Sequence, residues 1–488
     1  MVFTSAGANT VIDKEDQPNV ILIVGDNLGA WQLGCYGNSD IYSPNIDRLA
    51  DEGMRFTRAM SCNPVCSPTR ASILTGMIPS QHGVHHWLLD GNQQVGPKAN
   101  CVISEFKTIP EILNEAGYFC GLVGKWHLGD NMNPQEGFEY WVTMPSGLTR
   151  DFYGVEVVEN GEIKKVPGYI TEFWTERAVN FLEEANSRRK KTGQPFYLHL
   201  TYNGPYSLDP ELLTDPKRSG NKFLSRYENM PMESFPRQEP HKGLFKHTNE
   251  LNNVVAMRTS AAQISGLDEG VGGIMSALKK LGLNENTIVI FSADQGTAGG
   301  YNGIWGMGHN TKPSVAYDKV MQVPMIVYHD KQIKPGQTSD RLVNNYDLLP
   351  FIVDYVGLGD NIPENLPGRS FAKIVRGEEM YWEDVTFFEH FYTRAMRTDK
   401  WKYVWRYKQD ADLFDLDEDP AEENNLAADP VYADVIKKLK VRLDSFYGKY
   451  TNPQYDIVKG GKSKSWHPPF AEPDFVPIEN KTRYYKYD

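Results

Sequence analysis

The chain has 488 residues, of which 40% are hydrophobic and 23% charged, the balance of a folded protein with a large core. Lys and Arg total 51 against 63 Asp and Glu, a net charge of −12, which excludes general binding of nucleic acid or an anionic membrane surface. At ~150 residues per domain, the length corresponds to roughly three domains, or to one large and one small.

No apolar run approaches the ~18 residues of a membrane span. Met1 to Pro18 lacks the basic start and apolar stretch of a signal peptide. The expected location is periplasmic or secreted, as a mature form whose leader has been removed; a cytoplasmic location fits the same residues. The five cysteines are Cys35, Cys62, Cys66, Cys101 and Cys120. They are too sparse for a disulfide scaffold, and none forms a CxxC pair. An odd number leaves at least one outside any disulfide.

The wholly apolar run Asn19–Val24, ending at Gly25-Asp26, reads as a central strand of a parallel sheet. Ser67 is a good N-cap and Pro68 fits the first helical position. That pair places Cys66 just before a helix that Gly76 stops. Thr108–Gly117 reads as a second helix, with Thr108 and Glu111 as a capping box. Strands are expected over 118–123, 196–201, 287–292 and 323–329. Ile264, Leu267, Val271, Ile274, Leu278 and Leu281 lie on one face of an amphipathic helix. Alternating strands and helices predict an α/β fold: a large doubly wound, mostly parallel sheet domain over 1–375. Beyond Arg376, strand-like runs at 385–391, 392–398, 401–407 and 412–416 follow without helices between them. They predict a small antiparallel sheet within 376–488. A helix bearing Ile436, Leu439, Leu443 and Phe446 closes it, and an extended arm begins at Thr451.

Ligands of open α/β sheets bind beyond the carboxyl ends of the strands. There the sequence offers Asp26-Asn27, Lys125 with His127, Asn203 to Tyr206, and Asp294-Gln295. Asp26, Asn27, Asp294 and Gln295 present oxygen donors only, a set suited to Ca²⁺ or Mg²⁺ rather than zinc. Cys66 at a helix N-terminus, with Arg70 a turn further on, suits an anion. Six glycines over 296–308 lack a GxGxxG opening a helix and read as a loop framing the site. His82, His85 and His86 read as a loop giving one substrate contact or none, and the basic, aromatic stretch 391–408 as a solvated sheet face.

Cys66-Ser67-Pro68-Thr69-Arg70 and the following Ala71–Gly76 resemble the signature of the formylglycine-dependent sulfatases, of the alkaline-phosphatase-like superfamily. Ser43–Leu49, Gly124–Gly129 (GKWHLG), Ser292–Gly296, Trp401–Tyr403 and 412–426 match in order, over most of the chain. The resemblance implies that a maturation enzyme oxidises Cys66 to Cα-formylglycine. One oxygen of its hydrate binds the metal, with Asp26, Asn27, Asp294 and Gln295, and attacks the sulfur of a sulfate ester. The alcohol leaves, and the second hydroxyl loses a proton and expels sulfate, a step an unmodified thiol lacks. By the same resemblance Arg70 and Lys125 hold the nucleophile and sulfate. His127 handles the diol proton, and Lys312 contacts sulfate and leaving group.

Three positions depart from the pattern. Asn27 stands where the family usually has an acid, and Gln295 is also neutral. Tyr206 stands where a histidine often acts as acid to the leaving group, and tyrosine is a weak acid for this at pH 7. His309 is then the candidate proton donor, or Tyr206 only shapes the sugar pocket. Lys312 is offset by one residue. Trp87, Tyr153, Tyr206 and Trp305 are candidates to stack on sugar rings. The expected function is hydrolysis of sulfate esters of a sulfated saccharide. The alternatives are a phosphodiesterase or phosphonate monoester hydrolase of the same superfamily, and a binding protein with unmodified Cys66.

Overall fold

The computed structural model describes residues 17–206 and 221–475, apart from positions 90, 92 and 150. The apolar run after Pro18 forms β1 (Asn19–Asp26), and every residue in it is buried. Such a strand needs neighbours on both edges and cover on both faces. The large sheet also contains β2 (Met54–Met60), β3 (Phe119–Gly124), β4 (Tyr140–Thr143), β5 (Glu156–Glu159) and β6 (Glu162–Lys165). It is completed by β7 (Phe196–Pro205), β8 (Thr287–Ala293), β9 (Met325–Tyr328) and β10 (Gln337–Asn344). The order is β10-β2-β9-β8-β1-β7-β3-β4-β5-β6. β8, β1, β7, β3 and β4 are parallel. β9 runs antiparallel between β8 and β2, and β5 and β6 form an antiparallel edge. The sheet is therefore parallel at its centre and mixed towards its edges.

The longer helices are α1 (Pro44–Asp51), α2 (Cys66–Thr75), α3 (Ile109–Glu115), α4 (Ile170–Thr192), α5 (Val254–Leu281), α6 (Leu348–Tyr355) and α7 (Ala433–Tyr450). Successive residues of β3 show that helices cover both faces. The Cys120 thiol reaches the Pro110 carbonyl on α3 at 3.5 Å. Gly121 faces the Phe181 ring on α4, which a Cβ would overlap. Adjacent strand residues point to opposite faces, so α3 and α4 lie on opposite sides. α1, α4 and α5 pack together, and α2 and α3 pack with α6. The expected capping box of α3 and the buried stripe of α5 from Ile264 to Leu278 are present.

β11 (Val385–His390), β12 (Thr393–Thr398), β13 (Trp401–Arg406) and β14 (Asp412–Asp415) form the antiparallel sheet in sequence order. α7 lays Leu439, Leu443 and Tyr447 on it, with Ile436 and Phe446 half-buried beside them. Residues 451–475 then run back across the large sheet's loops. The Asn452 and Lys464 amides donate to the carbonyls of Ser80 and Gly83. Among the described residues, no helix is long and apolar enough to cross a membrane. All five cysteines are free thiols.

Arg394 on β12 locks the arm to the sheet. Its guanidinium lies 2.8 Å from Glu389 and 2.6 Å from Asp456, and all three side chains are buried. Breaking a buried pair from one side leaves an uncompensated charge. Arg394→Ala is therefore expected to cost about 3–5 kcal/mol. Urea unfolding followed by near-ultraviolet absorption measures this, and a loss below ~1 kcal/mol contradicts it.

Candidate active site

Ends of parallel strands meet at one rim, as open α/β sheets require. Asp26 ends β1, Lys125 follows β3, Tyr206 follows β7, and Asp294-Gln295 follow β8. The charged groups here are almost wholly buried: Asp26 and Asp294 are 0% exposed, Lys125 1%, and Arg70, which reaches in from α2, 2%. The Lys125 ammonium pairs with Asp26. Arg70 donates from Nε to Asp294 Oδ2 at 3.0 Å, and its Nη2 pairs as an ion with Asp294 at 2.8 Å and with Asp26 at 3.7 Å. Arg70 Nη1 also donates to the Lys125 carbonyl at 2.7 Å. Burial, reinforced by the Asp26 charge, holds Asp294 above the usual carboxylate range.

Asn27 takes a left-handed backbone conformation, φ 59°, and its amide donates to Asp294 Oδ1 at 3.2 Å. Gln295 Nε2 meets Asn27 Oδ1 and lies 3.4 Å from Asp26 Oδ1. The Gln295 Oε1 atom is buried without a hydrogen-bond partner. These hard oxygens, two crowded carboxylates and an orphaned carbonyl, fit a Ca²⁺- or Mg²⁺-type cation. Among the described residues no cluster of three or more His, Cys, Asp or Glu forms a metal site, because two of the four donors here are amides.

The structure moves Cys66 one residue into the helix. It is the first residue of α2, and Val65 occupies the cap position. The expected Ser67 cap gives way because Asn63 closes the preceding turn, accepting from the Val65 amide at 2.9 Å. Ser67 Oγ instead donates to the His127 carbonyl at 2.9 Å. Burial pushes the Cys66 thiol up to about 11, so at neutral pH it is a protonated thiol and a poor nucleophile.

His127 faces it. Its Nε2 lies 3.0 Å from the Leu88 carbonyl, which can only accept. Nε2 therefore carries the proton, and Nδ1 is a bare acceptor 3.2 Å from Cys66 Sγ. Burial, with Lys125 nearby, holds this imidazole well below its usual range, so it is neutral. Gly147 packs against the ring, where a Cβ would overlap it.

The remaining candidates separate into two groups. Tyr206 stays at the rim: its amide donates to the Asp26 carbonyl at 2.9 Å, and Lys125 Nζ lies 5.3 Å from its ring centre. Trp87 joins Cys66, Val65 and Phe470 in one apolar wall. His309 stands 5.6 Å from Trp87, ring to ring, and its Nδ1 donates to the Pro64 carbonyl at 3.1 Å. Burial holds it well below the usual imidazole range, which leaves Nε2 bare. Lys312 is joined to the arm, donating to the carbonyls of Phe470 (3.1 Å) and Glu472. Trp305 is no platform for a sugar: it is 1% exposed and stacks on Phe235 in the main core. Tyr153 stacks on Tyr169. Sequence reasoning missed Lys246, Trp466 and Phe470. Lys246 Nζ lies 4.1 Å from the Phe470 ring centre and 5.1 Å from that of Trp87. These residues sit in loops without a motif, so no local signal points to them.

Comparison with known proteins identifies the family. The family model described as Sulfatase matches residues 18–358, and that of the N-sulphoglucosamine sulphohydrolase C-terminal region matches 311–449. The N-acetylglucosamine-6-O-sulfatase of Bacteroides thetaiotaomicron is 25% identical over 92% of this chain and 89% of its own. A structure solved with its substrate, D-glucosamine-2-N,6-O-disulfate, superposes with TM-score 0.69 at 23% identity, over 91% of this chain and 100% of the other. The phosphonate monoester hydrolase of Agrobacterium radiobacter gives TM-score 0.66 at 20% identity, over 89% and 96%. With a family model spanning most of the chain and the strand-end residues assembled on the expected fold, the protein belongs to the sulfatase family of sulfuric ester hydrolases.

Proposed function

We propose that the protein hydrolyses sulfate esters of a sulfated saccharide, with Cys66 converted by a maturation enzyme to formylglycine. The observation that carries this reading is the bare Nδ1 of a neutral His127, 3.2 Å from Cys66 Sγ, beside buried Arg70 and Lys125. In this reading Sγ marks the position of the formylglycine oxygen. A thiol held at about 11 does not supply a nucleophile at neutral pH, which favours the converted residue. When present, formylglycine supplies the attacking hydroxyl, and a Ca²⁺ or Mg²⁺ held by Asp26, Asn27, Asp294 and Gln295 supplies positive charge for the sulfate oxygens.

The chain's own groups do the rest. His127 takes a proton at Nδ1 while Leu88 holds its Nε2–H in place. Arg70 orients Asp294, and Lys125 orients Asp26 and adds charge to the sulfate pocket. Tyr206 shapes the rim. A bare Nε2 suits His309 to accept a proton or hydrogen bond rather than to donate one. Lys312 acts by holding the arm against the site. The saccharide assignment is supported by the N-acetylglucosamine-6-O-sulfatase relative and by the neighbour solved with a disulfated glucosamine. The phosphonate monoester hydrolase neighbour supports the second reading, in which the same pocket takes a phosphonate or phosphate diester.

Mass analysis of the Cys66 peptide after co-expression with a maturation enzyme, followed by assays on an aryl sulfate, an aryl phosphate diester and sulfated saccharides, tests this. Conversion and at least ~100-fold preference for sulfate are expected; an unconverted thiol in an active enzyme, or preference for the diester, overturns it. Gly147→Ala displaces the His127 ring and is expected to lower kcat by about 10²–10⁴-fold on converted protein. An unchanged kcat contradicts the proton role of His127. Asn27→Asp adds a carboxylate to the cation donors and is expected to tighten Ca²⁺ binding by about tenfold or more. Calorimetric titration of chelator-stripped protein measures it, and weaker binding contradicts the placement of Asn27 among the donors.

A further inference from the structure

His86 and Trp87 carry two buried hydrogen-bond donors without acceptors. His86 is 0% exposed and Trp87 9%. His86 Nδ1 accepts the Trp87 backbone N–H at 2.9 Å. A neutral imidazole that accepts at Nδ1 bears its proton on Nε2. Burial, reinforced by the neighbouring His390, His309 and Lys246, keeps this ring neutral. Its Nε2–H is buried and unpartnered, as is the indole Nε1–H of Trp87. An orphaned buried donor costs about 1–3 kcal/mol, so two on adjacent residues call for a ligand that accepts.

The surroundings define that ligand. The rings of His86 and Trp87 lie 3.7 Å apart, and Trp87 packs in the same wall as Cys66. The Lys246 amino group lies 5.1 Å from the Trp87 ring centre, and burial lowers it to about 7, so an entering anion would favour its protonated form. The arm closes the other side, with Trp466 5.1 Å from Trp87 and Phe470 5.6 Å from His86. A metal ion does not fit, because His86 has no lone pair left to give. Two orphaned N–H donors beside a lysine that takes up a proton when negative charge enters suit an anion.

We infer that His86, Trp87 and Lys246 form a second anion-binding subsite beside Cys66, for a sulfate or carboxylate carried by the saccharide next to the ester being cleaved. This rests on the saccharide reading above and narrows it to substrates with at least two anionic groups. The subsite contributes affinity and selection, while the bond-breaking groups stay at the strand ends.

Calorimetric binding to the full-length protein tests the subsite whether or not the chain turns over. The probes are a disulfated glucosamine, a monosulfated disaccharide with a neighbouring uronate, and a monosulfated glucosamine with no second anion. The intact protein is expected to bind at least one of the two-anion probes about tenfold or more tighter than the third; which one distinguishes sulfate from carboxylate. Trp87→Phe removes the indole N–H while keeping an aromatic ring, and Lys246→Met removes the charge and its N–H donors while keeping an apolar stem of similar length. Each variant, with melting temperature unchanged, is expected to bring that ratio within about threefold. No preference in the intact protein, or a preference that survives both variants, overturns the subsite. Desulfation without the preference rejects the subsite alone. The preference without any sulfate ester hydrolysis rejects the proposed activity and leaves the subsite standing.

Discussion

The rim is organised around four buried charges: Asp26 and Asp294 against Arg70 and Lys125. None is more than 2% exposed, so none has enough water to be stable alone. Each comes from a different segment. Asp26 ends β1, Asp294 follows its neighbour β8, Lys125 follows β3 two places away on the other side, and Arg70 reaches in from α2. Register is thereby constrained. A slip of one residue in β1 would turn Asp26 to the other face and leave its two cations unpaired. The apolar alternation of the strands and the polar cluster at their ends select the same pairing.

Much of this was legible in the sequence, and the reasons are local. β1 and β8 are short, mostly apolar runs that lead into Asp26-Asn27 and Asp294-Gln295, a pattern that a buried parallel strand explains well. The capping box of α3 and the stripe of α5 are patterns within one element. What escaped depends on tertiary context. β2 carries Arg55 and Arg58, and β6 is exposed along its whole length, so neither has an apolar period to read. They are strands because a neighbour offers an unpaired edge. Cys66 was expected one residue outside its helix because Ser67 and Pro68 form a good start signal; Asn63, further back, closes the turn instead. Lys246, Trp466 and Phe470 come to the site only when the arm folds back, and sequence spacing carries no trace of that.

The protonation pattern around Cys66 has a common cause. His127 and His309 each donate to a backbone carbonyl, Leu88 and Pro64 respectively. A carbonyl fixes which nitrogen holds the proton, and burial beside lysines keeps a second proton off. The site thus presents imidazoles as neutral groups with known bare atoms, and keeps its positive charge on Arg70 and Lys125. Acceptance of protons and attraction of anions fall to different residues. An acidic chain can therefore hold a cationic pocket: burial decides the local field, while the net charge of −12 counts the whole sequence.

The amides at 27 and 295 change the charge logic of the centre. With two carboxylates, one guanidinium and one ammonium, the four buried charges sum to zero without any bound cation. Two further carboxylates in place of Asn27 and Gln295 would leave a buried deficit of two, and folding itself would then call for a divalent ion. Here the four charges balance first, and a divalent ion held by the proposed donors would add a net positive charge of two to the rim. An entering anion would match that surplus, and cation and anion affinity would then be linked, each raising the other by the same factor.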